Sequence, residues 1–369
     1  MKNDSYLHIK YFAIGGLCTA ILILFALSIS AQTNEQDEFT HLPIIVSLAD
    51  SETVPTRTPT NTPEPAETAA PIGTATQTAT ATVESSGPKT TDVRNYIFGH
   101  SLILHATDSD ETTVPHWVHA LAQEAGYSYS VDGQYGFLMQ HANLPPNAQW
   151  GFQNVQGVWD PESGQSFSDA NFNAILLTAA NFVQYQPATS PYDGDNPTNA
   201  SPVSATLEII DWVTAQEPGI EIYVYENWPD MAGFLSGNWP PSAEEFSNYN
   251  AYTTGDFHDW WVDYHNELTT ARPNETIIMI PVGPILVKLL TETDLANIPL
   301  LELYEDDAPH GEPTLYFLAS LITYMSMYGE QAPADFLIPS TVNQTVTDNY
   351  DAVVELIWEE LVTYGVVDE

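Results

Sequence analysis

The chain has 369 residues, 43% hydrophobic and 11% aromatic, enough for a sizeable core in one large domain or two small ones. Acidic residues number 49 against 7 basic ones, a formal charge of -42, and after Arg94 the only cations are Arg272 and Lys288. Nucleic acids and anionic membrane surfaces both call for clustered Lys and Arg, so neither is an expected partner of the folded part, and the acidic surface reads as a solubility device.

Lys2 and Lys10 precede an apolar run from Tyr11 to Ile29 of about 19 residues, close to the length that spans a bilayer. Ser28 and Ser30 also offer small residues for a signal peptidase, so residues 1–31 read as a signal peptide or an N-terminal membrane anchor. The flanking lysines keep the N-terminus inside, which places the rest outside the cytoplasm, secreted or anchored. The single cysteine, Cys18, lies in this run, so no intrachain disulfide and no thiolate metal site can form; Leu17 before it argues against a lipoprotein. Residues 32–91 follow as a stalk rich in Thr, Pro and Ala, which cannot bury enough apolar surface to offset its ordering entropy.

From residue 92 to 369 short apolar runs alternate with helical stretches, the pattern of a parallel sheet covered by helices on both faces. Strands are predicted at Tyr96 to Phe98, Tyr127 to Val131, Ala174 to Leu177, Ile220 to Tyr225 and Thr276 to Ile280. Helices are predicted at Pro115 to Ala125, Val203 to Ala215, Asp256 to Leu268, Pro284 to Leu290, Pro313 to Tyr328 and Tyr350 to Tyr364. In such an α/β sheet of about five strands, ligands bind beyond the carboxyl ends of the strands.

The first strand stops on Gly99-His100-Ser101, which puts a serine hydroxyl where a base can reach it and backbone donors can meet an oxyanion. Late in the chain, Glu305 to Thr314 reads EDDAPHGEPT, with Asp307 three residues before His310 in a loop cut short by Pro309 and Gly311. A carboxylate at that spacing can fold back and hold the imidazole in one tautomer. Oxyanion donors are expected from the Ser101 amide, the Gly136 amide and the Asn181 side chain, with Gly133 as the alternative to Gly136 in the same VDGQYGFL loop. His100 should point away from Ser101 and support it from behind. Glu226, Asn227 and Trp228 follow the fourth strand and, with Phe257 to Trp261, suit the faces and hydroxyls of a sugar; Trp228 is the preferred contact over Trp260 and Trp261. His116 and His119, near Asp108, Asp110 and Glu111, are the nearest approach to a metal cluster, and their simpler reading is two histidines on one side of an early helix.

A serine after glycine near the first strand, a glycine, an asparagine and a late Asp-x-x-His together resemble the SGNH hydrolase superfamily, the GDSL-type esterases and lipases, over roughly Asn95 to Gly329. The resemblance implies a three-layer α/β/α, flavodoxin-like fold. It also implies a serine esterase without cofactor or metal, with Ser101 as nucleophile, Asp307 as orienter, His310 as base, and Gly136 and Asn181 completing the oxyanion hole. His100 stands where the family usually carries Asp, and Ala179 where Gly-x-Asn is usual. The expected activity is hydrolysis of a carboxylic ester, such as an O-acetyl group on carbohydrate, through an acyl-enzyme. An acyltransferase on the same fold, a non-catalytic glycan-binding module on a stalk and a metal-dependent enzyme built on His116 and His119 are the rivals.

Overall fold

The computed structural model describes residues 87–152 and 154–368; the apolar N-terminal segment and nearly all of the stalk lie outside the described residues. Five strands, β1 (Asp92–Gly99), β2 (Ser128–Tyr135), β3 (Ala174–Leu177), β4 (Glu221–Tyr225) and β5 (Ile277–Ile280), form one sheet. Every pairing is parallel and the order is β2-β1-β3-β4-β5. The longer helices are α1 (Val114–Glu124), α2 (Pro202–Gln216), α3 (Ala243–Thr254), α4 (Asp256–Ala271), α5 (Val282–Glu292), α6 (Pro313–Tyr328) and α7 (Tyr350–Thr363).

Strand side chains alternate between two cores, as a two-residue period requires. Ile97, Leu176, Tyr223 and Ile280 pack with residues of α1, α5, α6 and α7. Tyr96, Phe98, Ile175, Leu177, Ile222 and Val224 pack with residues of α2 and α4. The result is a three-layer α/β/α, flavodoxin-like fold. Among the described residues, no helix is long and apolar enough to cross a membrane.

Local chemistry sets the helix ends. The Thr113 side chain accepts the His116 amide at the start of α1, and Ser201 and Ser204 cap α2 reciprocally with Pro202 in its first turn. Helix α6 begins at Pro313 and stops at Gly329, which takes the left-handed conformation at φ 67°. From Thr314 to Tyr328 every residue of α6 is buried. Its hydroxyls survive burial because Ser320, Thr323 and Ser326 each donate to the carbonyl four residues back, at 2.6, 2.8 and 2.8 Å.

Strand β2 runs through Gly133 to Tyr135 instead of ending at Val131. Its polar residues are buried with partners: Asp132 accepts the Val158 and Trp159 amides at 2.7 and 3.0 Å, and the Gln134 amide meets His141 at 2.9 Å. A segment bridged at Trp150 and Gln156 covers the outer side of the strand. Gly133 is required by packing, since a Cβ there would sit 2.6 Å from the Ile97 carbonyl oxygen.

Connections reverse direction between β1 and β3, which makes the carboxyl ends of these two strands the switch point where open α/β sheets bind ligands. Ser101 follows the first and Asn181 the second.

Candidate active site

Beyond Gly99 the backbone makes one tight turn, in which the His100 carbonyl accepts the Ile103 and Leu104 amides at 2.9 and 3.1 Å. Gly99 permits this because a Cβ would lie 2.9 Å from the Ile103 side chain. Ser101 sits half-buried on the turn, and its carbonyl accepts the Tyr316 hydroxyl at 2.6 Å. His100 points the other way. Its Nδ1 accepts the Leu102 amide at 3.3 Å, which leaves the proton on Nε2 to donate to the Ala179 carbonyl at 3.1 Å. Burial drives its pKa down to about 4, so the ring is neutral and serves as a strut between the ends of β1 and β3.

The loop before α6 carries His310. One Asp306 oxygen accepts the Ala308 and His310 amides at 3.0 and 2.9 Å, and the other meets His310 Nδ1 at 2.7 Å. This corrects the expected pairing: the carboxylate bonded to His310 is that of Asp306, four residues before it, and not that of Asp307. The turn that Asp306 builds with its own following amides points its second oxygen at the imidazole. Asp307 contributes its carbonyl, which accepts the Met231 amide at 3.0 Å. Burial raises the Asp306 carboxyl, but its bonds to His310 outweigh that and hold it below the ordinary value.

Neighbours lock the loop to the sheet. The Trp228 indole donates to the Pro309 carbonyl at 2.9 Å and the Asn181 side chain lies 3.5 Å from the Ala308 carbonyl, while within the loop the Glu305 amide donates to the His310 carbonyl at 2.8 Å. The Ser101 hydroxyl and His310 are not hydrogen-bonded to each other; the two segments meet through their neighbours. His105, four residues after Ser101, stacks on the His310 ring at 4.2 Å, and Tyr316, six residues after His310, holds the Ser101 carbonyl. Such a serine–imidazole contact commonly closes only when substrate is present.

Two expected oxyanion donors stand free for the role. The Ser101 amide has no partner among the described residues, and the Asn181 side chain, 8% exposed, has only the long contact to Ala308. Gly136 is a correction: its amide donates to the Gly99 carbonyl at 2.9 Å, extending the β1–β2 ladder, and is already used. The alternative, Gly133, lies inside β2 and not in a loop.

Glu226, Asn227 and Trp228 are also corrections as substrate contacts, being 0%, 0% and 1% exposed. Asn227 bonds Thr178 and the Ala179 carbonyl at 2.9 and 2.8 Å, Glu226 pairs with His258 at 2.8 Å, and Trp228 holds the His310 loop. Residues that follow strands here serve the scaffold as often as the cleft. Trp261 is fully buried and Trp260 nearly so, its indole donating to the Gln186 carbonyl. Rings that do reach solvent at or beyond the ends of β2 and β3 include Tyr135, 46% exposed, Phe182, 53% exposed and beside Asn181, and Tyr185, 66% exposed. His116 and His119 lie on α1, with His119 near the Tyr129 carbonyl, and among the described residues no three His, Cys, Asp or Glu side chains gather as metal ligands. Asp306, His105 and Tyr316 escaped the sequence reading. Only Asp306 had a signal, its adjacency to Asp307.

No protein-family model matches the chain, and no curated protein does. The chain is similar to the crystal structure of a DUF4886 family protein from Bacteroides uniformis at 12% identity and a TM-score of 0.48, over 75% of this chain and 98% of that one. A second solved structure aligns at 12% identity and a TM-score of 0.33, over 64% of this chain and 97% of that one.

Proposed function

We propose that this protein is an extracytoplasmic serine esterase of the SGNH hydrolase type that removes small acyl groups, O-acetyl foremost, from carbohydrate. The observation that carries the reading is the Asp306–His310 pair at 2.7 Å, in a loop tied to the same sheet edge on which Ser101 follows β1. Ser101 Oγ attacks the ester carbonyl while His310 Nε2 takes its proton, and Asp306 keeps the other ring nitrogen protonated. The Ser101 amide and the Asn181 side chain receive the oxyanion. As the C–O bond breaks, His310 returns the proton to the departing alcohol; water, activated by the same nitrogen, then cleaves the acyl-serine.

The surroundings favour an uncharged substrate. The four described cations are engaged away from this edge: Lys89 with Glu221, Arg272 with Asp211, Lys288 with Glu360, and Arg94 with the Ala170 and Asn171 carbonyls. Asp230, Glu305, Asp307 and Glu312 instead make the rim acidic, and burial together with Asp307 and Asp306 raises the Asp230 carboxyl. Tyr135 and Phe182 offer flat exposed faces of the kind on which sugar rings stack. Export of the catalytic part rests on the N-terminal sequence.

The test is a fluorophosphonate probe, with the adduct located by peptide mass spectrometry. Labelling at Ser101 that disappears in His310→Ala is the expected result. An unlabelled, folded protein would replace the esterase reading with a glycan-binding module, and cleavage of long-chain esters in preference to acetylated glycans would overturn the substrate.

A further inference from the structure

Building on the serine esterase reading, we infer that His105, locked by Glu305, is a positioning residue that fixes the plane of the His310 ring. The two rings are 4.2 Å apart between centroids and 7° from parallel. His105 Nε2 meets a Glu305 carboxylate oxygen at 2.6 Å, and Glu305 immediately precedes Asp306 in the loop that carries His310. The His105 backbone is fixed on both sides by Thr112, whose carbonyl accepts the His105 amide at 3.0 Å and whose hydroxyl donates to the His105 carbonyl at 2.8 Å.

Asp306 alone leaves a freedom. One hydrogen bond at Nδ1 fixes the tautomer and one edge of the imidazole, yet the ring can still swing about that bond and carry Nε2 away from the serine. A second flat ring against its face removes half of that swing. Because Glu305 ties the second ring back to the same loop, the clamp moves with the base. Ser101 and His105 are four residues apart, so the clamp also sets the spacing between nucleophile and base.

The experiment measures ester turnover and, by proton NMR, the low-field Nδ1–H resonance of His310 in the Asp306 bond. His105→Ala should lower kcat by about tenfold with KM unchanged, since small misplacements of a reacting group are costly, and should broaden the resonance. His105→Phe, which keeps a flat ring, should restore both. Glu305→Gln, at an exposed side chain, should move both in the direction of the alanine variant by a smaller factor, and decides the matter if His105→Ala does not fold. Wild-type kcat and a sharp resonance in His105→Ala and Glu305→Gln overturn the clamp, as does a phenylalanine variant no better than alanine. A wild-type protein without ester turnover removes the esterase reading only; the resonance in the variants then still upholds or overturns the clamp.

Discussion

Of the carboxylate–imidazole pairs near this edge of the sheet, Asp306–His310 and Glu226–His258 have almost equal distances, 2.7 and 2.8 Å. Their surroundings separate them. The Asp306 side chain is 40% exposed and that of His310 20%, whereas Glu226 is 0% exposed and His258 16%. Burial pushes the Glu226 carboxyl up to about 7, only partly offset by His258. For His258, burial acts to lower the pKa, but the bond to Glu226 outweighs it and the ring ends above its ordinary value. Asp306 instead stays charged. The two imidazoles are almost equally exposed, so the difference lies in the carboxylates. One driven towards its neutral form by burial can join β4 to α4, and one that keeps its charge near the surface can hold an imidazole for proton transfer to something outside.

The largest blow to this contrast should come from Asp306→Asn, which keeps the shape but takes away the charge that fixes the tautomer, and kcat should fall by roughly 10²–10⁴. Asn181→Ala should cost about 10² in kcat with little change in stability, read by urea denaturation alongside turnover. Glu226→Ala should leave kcat near wild type and destabilise the fold by about 3 kcal/mol, because it strands the partner of a buried pair. Asp307→Asn should change kcat by no more than about threefold, as substitutions away from such pairs do. If Asp307 rather than Asp306 proves essential, the assignment of the orienter is wrong and the contrast collapses.

Acidity sharpens the same contrast. Glu226 has its folded value raised from the ordinary 4.5 to about 7, so between those pH values the native state keeps a proton that the unfolded chain releases. Its stabilising contribution is complete below pH 4.5 and lost as pH rises through 7. Glu226→Gln removes that falling contribution, so its stability relative to wild type should climb across this window, as urea midpoints would reveal. His100, held down to about 4 by burial, has the opposite sign but is common to both proteins and cancels in the difference.

What the chain discloses before folding follows the physics of its parts. Strands β3, β4 and β5 are nearly all apolar, and Ala174–Leu177 is found where the alternation puts it. Helix α6 likewise has the predicted bounds, Pro313–Tyr328, because proline and glycine mark its ends. Helix α3, AEEFSNYNAYTT, gives little periodic signal, since only Tyr249, Asn250 and Thr253 are buried along it and its apolar stripe is correspondingly thin. The first half of β1 and the second half of β2 are masked by Asn95, Asp132 and Gln134, polar residues whose burial is made tolerable by partners outside their own strands, 34, 26 and 7 residues away. At the candidate site, Ser101 and Asn181 stand out because each follows a strand, and His310 because an acidic residue lies just upstream in a loop marked by Pro309 and Gly311. Asp306 does not, since two adjacent aspartates differ only in how a turn aims them, and Trp228 misleads because an aromatic after a strand reads alike whether it faces the cleft or pins a loop.

Helix α6 binds the two halves of the candidate site to one object. His310 lies three residues before its first residue, Pro313, and Tyr316 in its first turn holds the Ser101 carbonyl, while the helix itself is buried from Thr314 to Tyr328. No peripheral fraying can separate His310 from Ser101, because moving either means withdrawing the centre of a core. Amide protons of α6 should therefore exchange with solvent only through whole-domain opening, and catalytic competence should vanish at the same denaturant concentration as the fold, with no inactive but folded plateau between them.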